Sequence, residues 1–379
     1  MADEISVLVV DDSAMMRNLI SRMIEDAPGL CVAEKAMNGI FALQKIPRVN
    51  PDVICLDLEM PEMNGIQFLQ ERKRQGINIP VVILSSIAEK GAMITMEALS
   101  LGASDFVQKP SGSISMDIHT VRDTLIPMLL GYGGTYRRSQ GKRVLSPSEY
   151  AKKPPPQVHT DISSHFKLAS TPIAEPVKAP TQIRKPAKTE IIAIGISTGG
   201  PDALRIVFAN LDKDLSVPIL VVQHMPPGFT YEFAKSLDRI CPLEVKEAEE
   251  GDAIKSGRIL IAQGNKHLEV ERRPSGGIVH LSDSPQVSGH RPSADVLFAS
   301  VALNYQNHAL GVIMTGMGRD GAAQLGNIYK EGGMTLGQDE KSSVVYGMPR
   351  VAWELGHVME QVKLENMARR ICEVAKTYR

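Results

Sequence analysis

The chain has 379 residues, which at roughly 150 residues per domain leaves room for two substantial cores and a connector and excludes a single small module. It is 43% hydrophobic and 22% charged, too apolar for a disordered protein, and its 42 Lys and Arg against 43 Asp and Glu give a formal charge of -1. That balance removes any global electrostatic case for a nucleic acid or an anionic membrane as partner.

The N-terminus, Met1 to Glu4, is acidic and runs into an apolar stretch only six residues long, Ile5 to Val10, which is no signal peptide. No stretch approaches the ~18 apolar residues that a membrane helix needs. Cys31, Cys55, Cys241 and Cys372 lack CxxC spacing and read as reduced thiols. A cytoplasmic protein is expected, neither exported nor inserted into a membrane.

From Ser6 to about Gly131 five short apolar runs, SVLVV, CVAEKA, DVICL, PVVIL and DFVQK, alternate with helix-period segments. This predicts a doubly wound (βα)5 domain with a parallel sheet over residues 1–131. In such a sheet the strand C-termini share one crevice. Asp11 and Asp12 follow the first run, Asp57 the third, Ser85 and Ser86 the fourth, and Lys109 closes the fifth. Singly, each acid reads as a turn or helix cap, as Asp12 before Ser13 does. Together, carboxylates, a hydroxyl and an ammonium suit Mg²⁺ and a phosphoryl group, with Asp57 the candidate nucleophile.

VVDDSAMMR, LDLEMPEMNG, the strand-end serine and FVQKP stand in the order and spacing of a two-component receiver domain, which this part of the chain resembles. The resemblance implies Mg²⁺ held by Asp11, Asp12 and Asp57 and phosphorylation of Asp57 by a histidine kinase. It also implies phosphate contacts from Lys109 and a switch hydroxyl, for which Ser85 aligns better than Ser86.

Between Arg137 and Lys188 eight of the chain's 24 prolines fall within 52 residues, with 11 Lys and Arg against 3 Asp and Glu. Residues 132–188 read as an extended, basic, proline-rich linker; docking to an acidic partner is the alternative. A second α/β pattern with a mainly parallel sheet follows over 189–379. It comprises EIIAIGI, a helical run to Leu211, PILVV, another helical run, strand-like pieces from Leu243 to Leu281, a helix near Ser293 to Leu303, and ALGVIMT. The segment from Leu364 to Lys376 has helical spacing.

Gly195 to Gly200 contains G-x-S-x-G after a strand and before a helix, an elbow that exposes Ser197 at a helix N-terminus. Alone it could equally cradle a phosphate, although neither the dinucleotide nor the P-loop pattern is complete. A serine nucleophile needs a base. His224 directly follows the next strand and projects from the same sheet edge; His290, in GHRPS, is its main rival. Asp320 lies in TGMGRDG after the strand Ala309 to Met314, where glycines permit a tight loop with backbone N–H groups aimed at an oxyanion. Asp295 competes for the acid's role but reads as a cap or salt-bridge residue. The order Ser, His, Asp differs from that of α/β-hydrolases.

GISTGG, VVQHMPPGFT, HRPSADVLF and MTGMGRDGA occur in that order, and the second domain resembles the catalytic domain of chemotaxis protein-glutamate methylesterases, the CheB family. Ile196 stands where that family usually has alanine, and the position of Arg319 varies within it. The resemblance implies Ser197 as nucleophile, His224 as general base and acid, and Asp320 as orienting acid. Met317 would supply an oxyanion N–H, Thr198 would neighbour the histidine, and no cofactor is expected in this domain. It further implies hydrolysis of glutamate γ-methyl esters on methyl-accepting chemoreceptors with release of methanol, deamidation of receptor glutamines, and a receiver that obstructs the cleft until Asp57 is phosphorylated. A receiver with a non-catalytic scaffold output and a general esterase are the competing readings. A DNA-binding output is disfavoured, since nothing after the linker reads as a helix-turn-helix module.

Overall fold

The structure, a computed structural model, describes residues 3–85, 89–109, 117–144, 184–274 and 276–377. Each apolar run of the N-terminal part forms a strand: β1 (Ile5–Val10), β2 (Leu30–Ala36), β3 (Val53–Asp57), β4 (Val81–Ser85) and β5 (Asp105–Gln108). Between and after them lie α1 (Ala14–Glu25), α2 (Gly39–Val49), α3 (Gly65–Arg74), α4 (Glu89–Ser100) and α5 (Asp117–Ser139). The strands pair in parallel in the order β2-β1-β3-β4-β5. Leu8, Val10, Ile54 and Leu56 pack on one face with Phe68 and Leu69 of α3, while Val7, Val9, Val53 and Cys55 pack on the other with Ile20 and Leu125. Burial on both faces explains why these strands read as continuous apolar runs rather than alternating ones. Ser13, Asn38 and Asn64 cap α1, α2 and α3, the last with Gln67 in a reciprocal capping box.

α5 runs on through residue 131, the expected end of the first domain, to Ser139. Its glycines interrupt the helical pattern in the sequence for a spatial reason. A Cβ at Gly131 would strike the Val344 carbonyl, and one at Gly133 would strike Ile5. Beyond them Arg137 pairs at 2.8 Å with Asp52, whose buried carboxylate also accepts from Ser6. Residues 132–139 therefore pack with the first sheet. Most of the expected linker, residues 145–183, lies outside the described residues, as does Ser86.

The C-terminal part continues with β6 (Ile191–Ile196), α6 (Gly200–Ala209), β7 (Ile219–Gln223), α7 (Phe229–Asp238), β8 (Glu244–Glu247), β9 (Ala253–Ile254) and β10 (Arg258–Ile261). Then come β11 (His267–Arg273), β12 (Gly276–Ser282), α8 (Ala294–Tyr305), β13 (Ala309–Ile313), α9 (Ala322–Lys330), β14 (Met334–Gln338), α10 (Met348–Glu354), β15 (Glu360–Val362) and α11 (Leu364–Thr377). Seven strands form one parallel sheet in the order β15-β14-β13-β6-β7-β10-β8. β9, β11 and β12 form a separate antiparallel sheet, and β11 is tied to α8 by Val270 N–H to Ser300 Oγ. The order β13-β6-β7 places the loops after these three strands side by side at the strand C-termini, where the site lies.

The two parts meet over that edge. Phe106 of β5 stacks on Phe229 of α7 with centroids 5.0 Å apart, and Val344 packs against the core beneath α5. Among the described residues no helix is long and apolar enough to cross a membrane.

Candidate active site

β6 ends at Ile196 and the chain turns through Ser197, Thr198 and Gly199 into α6. Gly199 has φ 82°, a left-handed conformation that favours glycine, and its N–H opens the helix. Gly200 has no room for a Cβ, because the Gln223 side chain lies against it. Ser197 N–H donates to Thr315 O at 3.0 Å, and Gln223 Nε2 donates to the carbonyls of Ser197 and His224. These bonds lock the turn to the ends of β7 and β13. Gln223 escaped the sequence reading because a glutamine ending a strand carries no distinguishing pattern.

Ser197 Oγ lies 3.0 Å from His224 Nδ1, and His224 Nε2 lies 2.7 Å from Asp320 Oδ2. The imidazole thus turns Nδ1 to the serine and Nε2 to the acid, the reverse of the chymotrypsin arrangement. Asp320 is 1% exposed and sits at the N-terminus of α8. Its Oδ1 accepts from Ser293 Oγ at 2.5 Å and Asp295 N–H at 3.2 Å, and its Oδ2 from Ala294 N–H at 2.7 Å. Burial alone would raise this carboxyl, but the bond and charge of His224, with those from Ser293 and Ala294, hold it below the usual range. An ionised Asp320 accepts a hydrogen bond from Nε2–H, which leaves Nδ1 with its lone pair toward Ser197.

The rival residues take other places. Asp295 accepts from Ser288 Oγ and Gln324 N–H, a structural role at the start of α8. His290 stacks on the face of His224. Thr198 lines the cleft, its carbonyl accepting from Thr315 Oγ1 at 2.9 Å, and among the described residues no hydrogen bond joins it to His224. Met317, 40% exposed, borders the cleft in a loop held by Gly316 N–H to Val345 O and by Gly347 and Met348 N–H to Gly316 O. Ser293, which the sequence marks only as the start of a helix, donates to the acid. Ser293→Ala removes a charge-assisted bond, and a loss of about 10-fold in kcat is expected, with thermal unfolding checking that the fold is intact.

The cleft, about 320 Å³, is walled by Ser197, His224 and Met317 on one side and by Asp105, Phe106 and Met128 of the N-terminal part on the other. Asp105 Oδ2 accepts from Gly199 N–H at 2.8 Å, so a carboxyl of the N-terminal part caps the helix that follows the serine. Phe106 N–H and Tyr132 also donate to it, and Asp202 of α6 adds a like charge. Burial pushes the Asp105 carboxyl up to about 7, against ~3.9 for a free one. A docked state that holds its proton more tightly is favoured most below the free value, weakens as pH rises toward about 7, and changes no further above it. The rate at which the unphosphorylated full chain turns over at Ser197 should therefore rise between pH 5.5 and 7.5 more steeply than that of Asp105→Asn, which keeps an acceptor for Gly199 but cannot titrate; parallel profiles would contradict this.

In the N-terminal crevice Asp11, Asp12 and Asp57 offer carboxylate oxygens within 4.8 Å of one another. Lys109 Nζ lies 2.6 Å from Asp57 and 3.0 Å from Asp11. Burial raises the Asp57 carboxyl despite the adjacent ammonium; burial alone would lower Lys109, yet Asp57 and Asp11 hold it above its ordinary value. Ser85 Oγ is buried 2.6 Å from Thr95 Oγ1, and Ser85 lines a small cavity with Asp57 and Lys109. Oxygen-only donors of this charge fit a hard divalent cation.

A family model described as CheB methylesterase matches residues 192–371, and one described as response regulator receiver domain matches residues 7–118. A protein-glutamate methylesterase/protein-glutamine glutaminase of Treponema denticola is 60% identical over 378 residues, spanning 99% of this chain and 100% of that protein. A protein of the same name from Treponema pallidum is 51% identical over 396 residues, spanning 99% and 98%. One from Koribacter versatilis is 45% identical over 361 residues, spanning 95% and 93%.

Proposed function

The chain belongs to the CheB methylesterase family, with a receiver domain ahead of a hydrolase domain, and on that premise we propose that it is a phosphorylation-activated protein-glutamate methylesterase acting on chemoreceptors. It removes methyl groups from glutamate γ-esters as methanol and converts receptor glutamines to glutamate in chemotactic adaptation. The observation that carries this reading is the hydrogen-bonded chain from Ser197 Oγ through His224 to Asp320 beside an open-ended cleft.

Catalysis proceeds by acyl transfer. His224 Nδ1 takes the Ser197 proton as Oγ attacks the ester carbonyl. The tetrahedral oxyanion is held by backbone donors, the Met317 N–H among them. Collapse expels methoxide, which leaves as methanol with the proton from His224. Water, deprotonated by His224, then releases the glutamate carboxylate and restores Ser197. With a glutamine substrate the same route expels ammonia. Asp320 orients the imidazole and offsets its transient charge.

Residues 1–139 form the receiver unit and residues from about 189 the hydrolase unit. Asp57 accepts a phosphoryl group from a chemotaxis histidine kinase, with Lys109 and the Ser85 hydroxyl on its oxygens. Asp11, Asp12 and Asp57 would hold Mg²⁺, which neutralises phosphoryl charge when bound. What supports regulation of one unit by the other is the wall that Asp105, Phe106 and Met128 build across the cleft. Methanol release from receptor segments carrying labelled glutamate esters, with ammonia release from their glutamine counterparts, tests the reading; wild type releasing neither would refute it.

A further inference from the structure

His224 is held at both ring nitrogens, by Ser197 Oγ at 3.0 Å and Asp320 Oδ2 at 2.7 Å. Imidazole nitrogens donate and accept in the plane of the ring. The two bonds fix where its edge points but let the ring turn about Cβ–Cγ, because a hydrogen bond tolerates roughly 30° off line before it loses much energy. A turn of that size keeps a hydrogen bond but takes the Nδ1 lone pair out of the line to Ser197 Oγ along which the proton is transferred. Something must hold the face.

The imidazole of His290 lies on that face, with ring centroids 3.8 Å apart and planes 13° from parallel. Its placement is built on both sides. His290 N–H donates to Val287 O at 2.9 Å and Val287 N–H to His290 O at 3.1 Å. The next residue, Arg291, is fastened to Asn265 Oδ1 and to the carbonyls of Asp283 and Ser284. Ser293 and Ala294 then bind Asp320. One segment thus carries both the plate against the base and the donors that hold the acid. Among the described residues no hydrogen bond engages the His290 ring nitrogens, so its contact with the site is made through the ring face.

We propose that His290 is a positioning residue, its ring holding His224 flat between Ser197 and Asp320, an inference that rests on reading Ser197 and His224 as nucleophile and base. Burial, and next the adjacent His224, push His290 down to about 4. The plate is therefore uncharged at neutral pH and adds no repulsion when His224 takes up the serine proton.

The test uses the full-length chain with Mg²⁺ and a small-molecule phosphodonor, comparing wild type, His290→Ala, His290→Phe and Ser197→Ala. Two readouts are taken: kcat and KM for methanol release, and the rate at which phenylmethylsulfonyl fluoride modifies Ser197, which reports the serine–histidine pair without any receptor substrate. Thermal unfolding is measured alongside. His290→Ala should lower kcat and the sulfonylation rate about 30- to 100-fold with KM within about 3-fold, and His290→Phe, which keeps a flat face, should restore both to within about 3-fold of wild type. A phenylalanine variant as slow as the alanine variant, an alanine variant sulfonylated at the wild-type rate, or a change confined to KM would each overturn the proposal. Wild type that is sulfonylated but releases no methanol would sink the substrate reading and leave the sulfonylation comparison decisive; wild type modified no faster than Ser197→Ala would sink both.

Discussion

Ser197→Ala should reduce methanol release by roughly 10⁴- to 10⁶-fold, leaving the chain folded and still able to accept phosphate on Asp57. The expectation follows from what no other group can supply: among the described residues the hydroxyl at the end of β6 is the one within 3.0 Å of His224 Nδ1. His224→Ala should cost a similar factor, and the double variant little more than either, because nucleophile and base act as one unit. Additive losses would mean that the two side chains serve separate steps. Labelled methanol measures the rate, and thermal unfolding separates a chemical loss from a folding one.

Phe106→Ala should move the unphosphorylated chain in the opposite direction, raising its basal rate about 10-fold or more. Phe106 is 8% exposed and stacks on Phe229 across the junction, 5.0 Å between centroids and 10° from parallel. Truncating such a buried ring costs about 3 kcal/mol, which shifts a docked–undocked equilibrium by roughly 100-fold. The substitution touches none of Ser197, His224 or Asp320, so loss of obstruction is its expected route to higher activity. Phosphodonor should then stimulate the variant less than wild type. An unchanged basal rate would mean that the receiver wall is not what limits substrate entry.

Much of this arrangement is legible in the chain itself because strand ends in a parallel sheet are predictable places. Asp11, Asp57, Ser85 and Lys109 each close or follow an apolar run, and the order β2-β1-β3-β4-β5 gathers them. Ser197, His224 and Asp320 come together for the same reason, since β6 lies between β13 and β7. What is not legible depends on contacts between segments far apart in sequence. β14 and β15 give no clear strand signal, the first following Gly332 and Gly333 and holding Gly337, the second only three residues long at the sheet edge. Ser293 reads as the start of a helix, and only the folding of α8 beneath the loop after β13 turns its hydroxyl onto Asp320. Gly131 reads as the end of the first domain because the reason for the glycines of α5, Val344 and Ile5 pressing on the helix, lies elsewhere in the chain. Asp105 reads as the start of a strand, and its bond to Gly199 belongs to neither domain alone.

The most direct test of a phosphorylation-switched esterase is labelled-methanol release from methylated receptor segments by wild type and Asp57→Asn, each with and without phosphodonor and Mg²⁺. Stimulation of wild type, with Asp57→Asn staying at the basal rate under both conditions, is the predicted result. Equal stimulation of both proteins, or a wild-type rate indifferent to phosphodonor, would contradict the coupling of the two sites.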